Sequence, residues 1–284
     1  MVTLQCDSLH RPISYLRVSV TDRCNLRCVY CMPEEGIPLQ SHEDILRYEE
    51  IARLVRVAVG LGITKVRLTG GEPLARAGLV GLVRMLAGIP GLEDLAMTTN
   101  GTLLAGQAVA LAEAGLKRVN ISLDTMRPDR LRTITRRGRL EDVLAGINAA
   151  QQVGLTPTKI NMVVVRELND DEVVDFARRT LTDGWHVRFI EVMPLGQGMC
   201  GAAGEYVPTG ETRAMIEEAL GPLQPAALMG NGPARYWRLA RAEGTIGFIS
   251  PLSEHFCALC NRLRLTADGR LLPCLLSDGE IDLR

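Results

Sequence analysis

Six times between Tyr15 and Val192 a short run of strand composition gives way to a run with helical spacing. This alternation restricts the fold more than any other feature of the 284-residue chain. Strands are predicted over Tyr15–Val20, Thr64–Thr69, Glu93–Thr98, Arg118–Leu123, Lys159–Val165 and Val187–Val192. Helices are predicted over Asp44–Leu61, Gly78–Ala87, Leu103–Ala114, two stretches reaching Gly154, and Asp170–Leu181. Strand–helix alternation of this kind calls for a parallel sheet with crossover helices. The units use roughly 200 residues, short of the eight of a complete barrel.

The strand faces say more. Arg17 and Ser19 alternate with Leu16, Val18 and Val20; Lys65, Arg67 and Thr69 with Val66 and Leu68. Asn120 and Ser122 alternate with Val119, Ile121 and Leu123, and Lys159 and Asn161 with Ile160 and Met162. Since side chains alternate across a strand, each strand has one apolar face for helices and one polar face. A closed barrel packs its interior with branched apolar residues. Polar faces instead suit an open barrel whose lumen holds a ligand. A two-layer open sheet with solvated polar faces is the other reading, and it leaves the recurrence of cations at one edge without a reason.

The loop after the first strand, Asp22–Cys31, reads DRCNLRCVYC and carries Cys24, Cys28 and Cys31 at C-x3-C-x2-C spacing. A four-iron cluster normally takes four thiolates, so three in one loop leave one iron open to a ligand that is not protein. Zinc is the competing reading, but it favours four ligands in recurrent pairs, and no histidine lies nearer than His42. The spacing, with Tyr30 before the last cysteine, resembles the signature of the radical S-adenosylmethionine (radical SAM) superfamily. There the open iron chelates the amino and carboxylate groups of SAM. Gly70-Gly71-Glu72-Pro73 follows the second strand, where glycines allow close backbone approach. With the cysteine loop, it resembles the superfamily element that grips the amino end of SAM. Ser122 and Met193 lie at the sheet edge that carries sites in such folds.

Val207–Leu239 reads as an irregular connector with one short helix around Glu211–Leu220. Beyond it Cys257 and Cys260 form C-x2-C, and Cys274 follows after a hairpin signalled by Asp268-Gly269. This second three-cysteine set is again one ligand short of a full cluster; a zinc ribbon completed by His255 is the alternative. Arg262 and Arg264 sit two apart and share a strand face beside it, a placement suited to phosphate oxygens. Cys6 and Cys200 are read as ordinary thiols.

The net charge of −1 argues against a generally basic DNA- or RNA-binding protein and against an anionic-membrane binder. No 18-residue apolar run and no basic-start leader is seen, so the expected compartment is the cytoplasm, where thiols stay reduced.

Both cysteine sets, the GGEP turn, the six-unit alternation and CNRLRLTADGRLLPCL together resemble the molybdenum cofactor biosynthesis protein A family, the GTP 3′,8-cyclases. The similarity runs from about Arg17 to Asp278. It implies an α/β fold, an incomplete (β/α)6 barrel over residues 1–206, with a C-terminal region, 207–284, carrying a second cluster. Cys24, Cys28 and Cys31 would ligate the SAM-cleaving 4Fe–4S cluster, and Cys257, Cys260 and Cys274 the second. Tyr30, Gly71, Ser122 and Met193 match SAM-contacting positions. Arg17, Arg67, Thr98, Lys159, Arg188, Arg262, Leu263 and Arg264 match positions that contact GTP or line its pocket, with Arg17, Arg262 and Arg264 closest to the chemistry. The implied reaction draws hydrogen from the ribose C3′ of GTP with a SAM-derived radical and closes C3′ onto C8 of guanine. An external electron donor and a downstream pterin-forming enzyme are the implied partners, and a homodimer is compatible with the family. The sequence ends at Arg284 without the family's terminal glycine pair; cluster and nucleotide binding are expected without that tail, whereas turnover is the property it would affect. A radical SAM enzyme modifying a peptide and a non-catalytic metal-binding homologue are the competing readings.

Overall fold

The computed structural model describes residues 11–193, 206–228, 232–275 and 279–284. Cys6 and Cys200 lie outside these residues. The predicted alternation is present. β1 (Tyr15–Ser19), α1 (Tyr48–Gly60), β2 (Lys65–Thr69), α2 (Leu79–Ala87), β3 (Asp94–Thr99) and α3 (Ala108–Glu113) follow in order. Then come β4 (Arg118–Ser122), α4 (Pro128–Thr135), α5 (Leu140–Gln152), β5 (Lys159–Val164), α6 (Val173–Thr182) and β6 (His186–Glu191). All neighbouring pairs from β1 to β6 are parallel.

Two helices begin later than their periodicity suggests, each for a local reason. Residues 42–45 form a turn and a bend, and the Leu46 N–H donates to the Ala267 carbonyl at 2.8 Å, tying this stretch to a distant segment rather than to a helix. Glu50 at the third helical position then accepts the Arg47 N–H at 2.7 Å, the carboxylate half of a capping box, and this fixes the start of α1. Ahead of α3, Asn100 Oδ1 accepts from the Thr102 N–H at 3.1 Å, and Gly101 sits at φ +80°, which holds a turn where a helix was expected.

The region beyond β6 is more ordered than a connector. α7 (Thr209–Leu220) is followed by β7 (Gln224–Ala226), β8 (Arg235–Arg238) and β9 (Thr245–Ile249), then by β10 (Arg262–Leu265), β11 (Arg270–Leu272) and β12 (Ile281–Asp282). The sheet order is β12-β11-β10-β1-β2-β3-β4-β5-β6-β9-β8-β7. β9 joins β6 in parallel and β10 joins β1 in parallel, so the C-terminal region supplies a strand to each end of the six-stranded run. Sequence patterning missed β7 to β9 because Pro and Gly clusters surround strands of only 3 to 5 residues.

Register aligns the polar faces. Arg17 lies opposite Arg67 on one side and Arg264 on the other; Asn120 lies opposite Thr98 and Lys159, and Asn161 opposite Arg188. The alternate residues, among them Val18, Leu68, Met97, Ile121, Ile160 and Val187, are fully buried in the hydrophobic core against the helices. One-sided burial of this kind pins register, because a slip of one residue would exchange the two faces.

Glu191 ties the two regions together. Its carboxylate ends β6 and accepts from the N–H groups of Thr209 (2.9 Å), Leu252 (3.0 Å) and Ser253 (3.1 Å), from the Tyr206 hydroxyl (3.2 Å), and from the Ser253 hydroxyl. Burial alone would raise its pKa, but these donors hold it below the ordinary carboxylate value. A depressed carboxylate contributes stability above its unfolded pKa and loses it as pH falls through the folded one. Glu191→Ala is expected to cost on the order of 3 kcal/mol in denaturant unfolding, because buried donors lose a charged acceptor. Glu191→Gln should cost less; a Glu191→Ala protein as stable as its parent would show that these bonds do not hold the regions together.

Candidate active site

The cysteine loop leaves β1 and is gripped from two directions. Gly70 and Gly71 press on it from the end of β2: the Gly71 N–H donates to the Thr21 carbonyl and the Glu72 N–H to the Arg23 carbonyl, both at 2.8 Å. A Cβ on Gly71 would run into the Arg23 carbonyl and come within 2.7 Å of that of Asp22. Glycine is thus required by close approach. Glu72 turns away from the loop, accepting from Thr99 Oγ1 (2.7 Å), the Asn100 N–H (2.7 Å) and the Leu74 N–H (3.0 Å), which locks the ends of β2 and β3.

From the other direction, the end of α4 accepts the Arg27 N–H at the Thr135 carbonyl (3.0 Å) and the Val29 N–H at the Ile134 carbonyl (2.9 Å). Arg136, in a left-handed conformation at φ +60°, donates to the Arg27 and Met32 carbonyls. Within the loop the Leu26 N–H points to Cys24 Sγ at 3.4 Å.

Cys24 and Cys28 are half-buried and Cys31 is exposed. Burial pushes all three thiols up; for Cys28 the Asp124 charge and then Cys31 and Cys24 add to it, and Cys24 and Asp124 do so for Cys31. Thiols that raise one another's pKa are close neighbours whose repulsion a bound cation would relieve. Three thiols in one loop suit a cluster that spreads its thiolates over separate irons and leaves one iron open, whereas structural zinc takes four protein ligands.

Tyr30, Ser122 and Cys28 line one small cavity with Asp124. The Tyr30 hydroxyl donates to Asp124 at 2.5 Å, and the Val163 N–H to its other oxygen at 2.8 Å. Burial nonetheless pushes Asp124 up to about 6. Gly71 and Met193 are not in this group: Gly71 packs on the loop backbone, and Met193 faces a larger cavity.

That larger cavity, about 290 Å³, lies against the polar strand faces. Arg17, Arg67, Thr98, Lys159, Arg188, Arg262 and Arg264 line it together with Cys257, Cys260 and Cys274. Leu263 does not; it pairs with Leu16 and packs on the hydrophobic core. Arg11 and Arg118 bring the lining cations to eight, and no carboxylate lines the cavity among the described residues. Arg118 is held by a buried ion pair to Asp94, and Arg67 donates to the Tyr15 hydroxyl. Burial and the neighbouring guanidiniums lower Arg17 to about 9 and Arg264 to about 10. Lys159 falls to about 6, through burial first and then Arg188, Arg118 and Arg67. Arg17 Nε and Asn120 Oδ1 are buried with no hydrogen-bond partner. Such orphaned atoms normally find one. Beside them, Arg262 Nε donates to Cys260 Sγ at 3.3 Å; burial raises this thiol, but Arg262 outweighs it and the pKa is lowered.

Residues 18–180 match the radical SAM superfamily, and residues 185–284 match the family Molybdenum Cofactor Synthesis C. The GTP 3′,8-cyclase of Moorella thermoacetica is 57% identical over 279 residues, covering 98% of this chain and 86% of the relative. That of Pelotomaculum thermopropionicum gives the same figures, and that of Heliobacterium modesticaldum is 56% identical, covering 98% of this chain and 85% of the relative. The chain belongs to the GTP 3′,8-cyclase family of radical SAM proteins. Among solved structures, Streptococcus suis SuiB bound to S-adenosylmethionine superposes with a TM-score of 0.66 at 14% identity. It covers 94% of this chain, which spans 62% of SuiB's length. That likeness shows the α/β fold with its parallel sheet, and the family match over residues 18–180 makes it a radical SAM fold. The family fits the donor set of the first loop, an iron–sulfur cluster and SAM.

Sequence reasoning missed Arg118, Arg136 and Glu191, and it named Glu72 only within the GGEP turn and Asn120 only on a polar strand face, giving neither a role in the site. Arg118 and Asn120 carried a signal, since both share the polar face of β4 that was read from Asn120 and Ser122. Gly71→Ala is expected to displace the cysteine loop at a cost on the order of 1–3 kcal/mol. Iron incorporated on anaerobic reconstitution should fall, measured with Cys257→Ala and Cys260→Ala also present so that only the first loop reports. Unchanged iron would show that the glycine contact does not shape the loop.

Proposed function

We propose that this chain is a GTP 3′,8-cyclase acting in molybdenum cofactor biosynthesis. In this reading the sheet is an incomplete (β/α)6 barrel over residues 1–206, extended by residues 207–284 with a second 4Fe–4S cluster on Cys257, Cys260 and Cys274. GTP lies in the large cavity between the two clusters. The observation that carries the reading is the convergence of eight basic side chains, with no lining carboxylate among the described residues, on a cavity that three cysteines also line. Two unit charges ~4 Å apart interact by roughly 4 kcal/mol at an effective dielectric near 20, so crowded cations favour a polyanion over a peptide.

When bound, the first cluster and SAM supply the one-electron chemistry that generates a hydrogen-abstracting radical. Cys24, Cys28 and Cys31 hold that cluster, with Tyr30, Gly71, Ser122 and Met193 around SAM. Arg17, Arg67, Lys159, Arg188, Arg262 and Arg264 neutralise and orient the triphosphate, with Thr98 beside Arg67, and the Leu263 side chain anchors β10 from the core side. Orientation matters because C3′ and C8 must be held in a reactive geometry. Burial of the lumen excludes water. An external electron donor, a downstream pterin-forming enzyme and a cytoplasmic setting complete the proposal. No helix among the described residues is long and apolar enough to cross a membrane.

Anaerobic incubation of the reconstituted protein with SAM, GTP and a reductant tests it: 5′-deoxyadenosine and cyclised GTP should both form only when GTP is present. Formation of neither by protein carrying both clusters would overturn it. Arg264→Glu should weaken GTP binding by two or more orders of magnitude, since charge reversal in a desolvated site costs ~3 kcal/mol or more; a peptide-modifying enzyme would tolerate it.

The Lys159 shift adds a pH dependence. With its pKa lowered to about 6, the amine is mostly neutral at pH 8 without ligand, and a bound triphosphate draws a proton onto it. Binding that takes up a proton weakens as pH rises. GTP affinity is expected to fall from pH 7 to pH 9, and Lys159→Met should flatten that slope in titration calorimetry.

A further inference from the structure

β8 sends one side chain into the large cavity. Tyr236 lies opposite Gly247 of β9, and Gly247 lies opposite Arg188 of β6, so the three occupy one level of three adjacent strands. Gly247 is the reason the ring can enter. A Cβ there would approach Tyr236 Cε1 to 2.8 Å, closer than real Cβ contacts come, and Arg188 Cγ to 3.0 Å, tight enough that one of them must shift. With no side chain between them, the half-buried Tyr236 ring crosses β9 to reach the cavity wall, where its hydroxyl faces the Arg188 guanidinium and acts on it electrostatically. Lys159 Nζ sits 5.4 Å from the centroid of the same ring, within cation–π range.

The opposite face of β8 sets this orientation. Trp237 meets Phe248 edge-on at 5.3 Å between centroids and carries Arg213 over its ring at 5.3 Å. Since successive side chains alternate, anchoring Trp237 outward obliges Tyr236 to point inward. Arg188 is also held from the other direction, its Nε donating to Asn161 Oδ1 at 2.8 Å.

We propose that Tyr236 is a phosphate-site positioning residue: its ring face and hydroxyl hold Lys159 and Arg188 in the geometry that receives the phosphates of the nucleotide. The inference rests on the GTP reading of this cavity. Crowded cations repel one another and would splay apart. An aromatic face beside the ammonium, with a hydroxyl on the guanidinium, keeps both in place without adding a carboxylate that would repel the ligand. Tyr236 thus acts through Lys159 and Arg188, and its contribution grows with the number of phosphates.

The test is equilibrium binding of GTP and of GMP to the anaerobically reconstituted protein. Wild type is expected to favour GTP strongly over GMP. Tyr236→Leu should weaken GTP about ten-fold, in line with a desolvated cation–π contact, and GMP by much less. Tyr236→Phe keeps the ring and should retain most of the affinity. Gly247→Ala, which pushes the ring aside without altering it, should reproduce the Leu variant's loss with iron content unchanged. GTP binding unaffected by Tyr236→Leu, or an equal loss of GTP and GMP, would overturn the assignment. Failure of wild type itself to prefer GTP would instead overturn the nucleotide reading on which it rests.

Discussion

A parallel sheet that turns arginines and lysines inward must solve an electrostatic problem before it can do chemistry. Arg17, Arg67, Arg118, Lys159, Arg188, Arg262 and Arg264 line one cavity, and all are buried or partly buried. Ordinary folding offsets a buried charge with an opposite one. Among the described residues Arg118 is ion-paired with Asp94, which also acts electrostatically on Lys159, and neutral groups make further contacts: the hydroxyls of Tyr15 and Tyr236, the amide of Asn161 and the ring of Tyr236. The depressed pKa values of Arg17, Lys159 and Arg264 express the remaining cost. A fold that tolerates this has its stability elsewhere, in the apolar faces of the same strands packed on the helices. The arrangement is relieved when a polyanion enters, so affinity and strain have one origin.

The two cysteine sets stand in different electrostatic surroundings. Around the first loop, burial raises all three thiols, Asp124 adds to this for Cys28 and Cys31, and Glu72 and Arg27 act in opposite directions on Cys24. Around the second, Arg262 lies against Cys260 and lowers it, and Cys274 acts electrostatically on Arg264.

Much of this was legible in the chain. Alternation of Arg17 with Leu16 and Val18, or of Lys159 with Ile160, states which face is which, and parallel pairing then forces those faces to coincide. The cysteine spacings and GGEP marked both ends of the site. What could not be read is what depends on contacts distant in sequence. Nothing local distinguishes Glu191 from a solvated carboxylate until α7 and the 252–253 turn converge on it. Arg136 reads as one of a surface run of arginines, yet it hydrogen-bonds the backbone of the cysteine loop more than a hundred residues away in sequence. β7 to β9 were hidden because very short strands flanked by Pro and Gly carry little periodicity.

The C-terminal region is more than an appendage to the sheet. β10 pairs with β1 and places Arg262 and Arg264 level with Tyr15 and Arg17, while β9 pairs with β6 and sets Gly247 beside Arg188. Each flank of the lumen is therefore built half from the N-terminal region and half from the C-terminal one. A cation pocket assembled this way forms only when both regions are seated, because neither alone has the packing to hold its share of the charge inside. Coupling of that kind makes nucleotide affinity a reporter of the whole fold. It also explains why a single carboxylate, Glu191, that hydrogen-bonds across the junction can matter to a site it never touches.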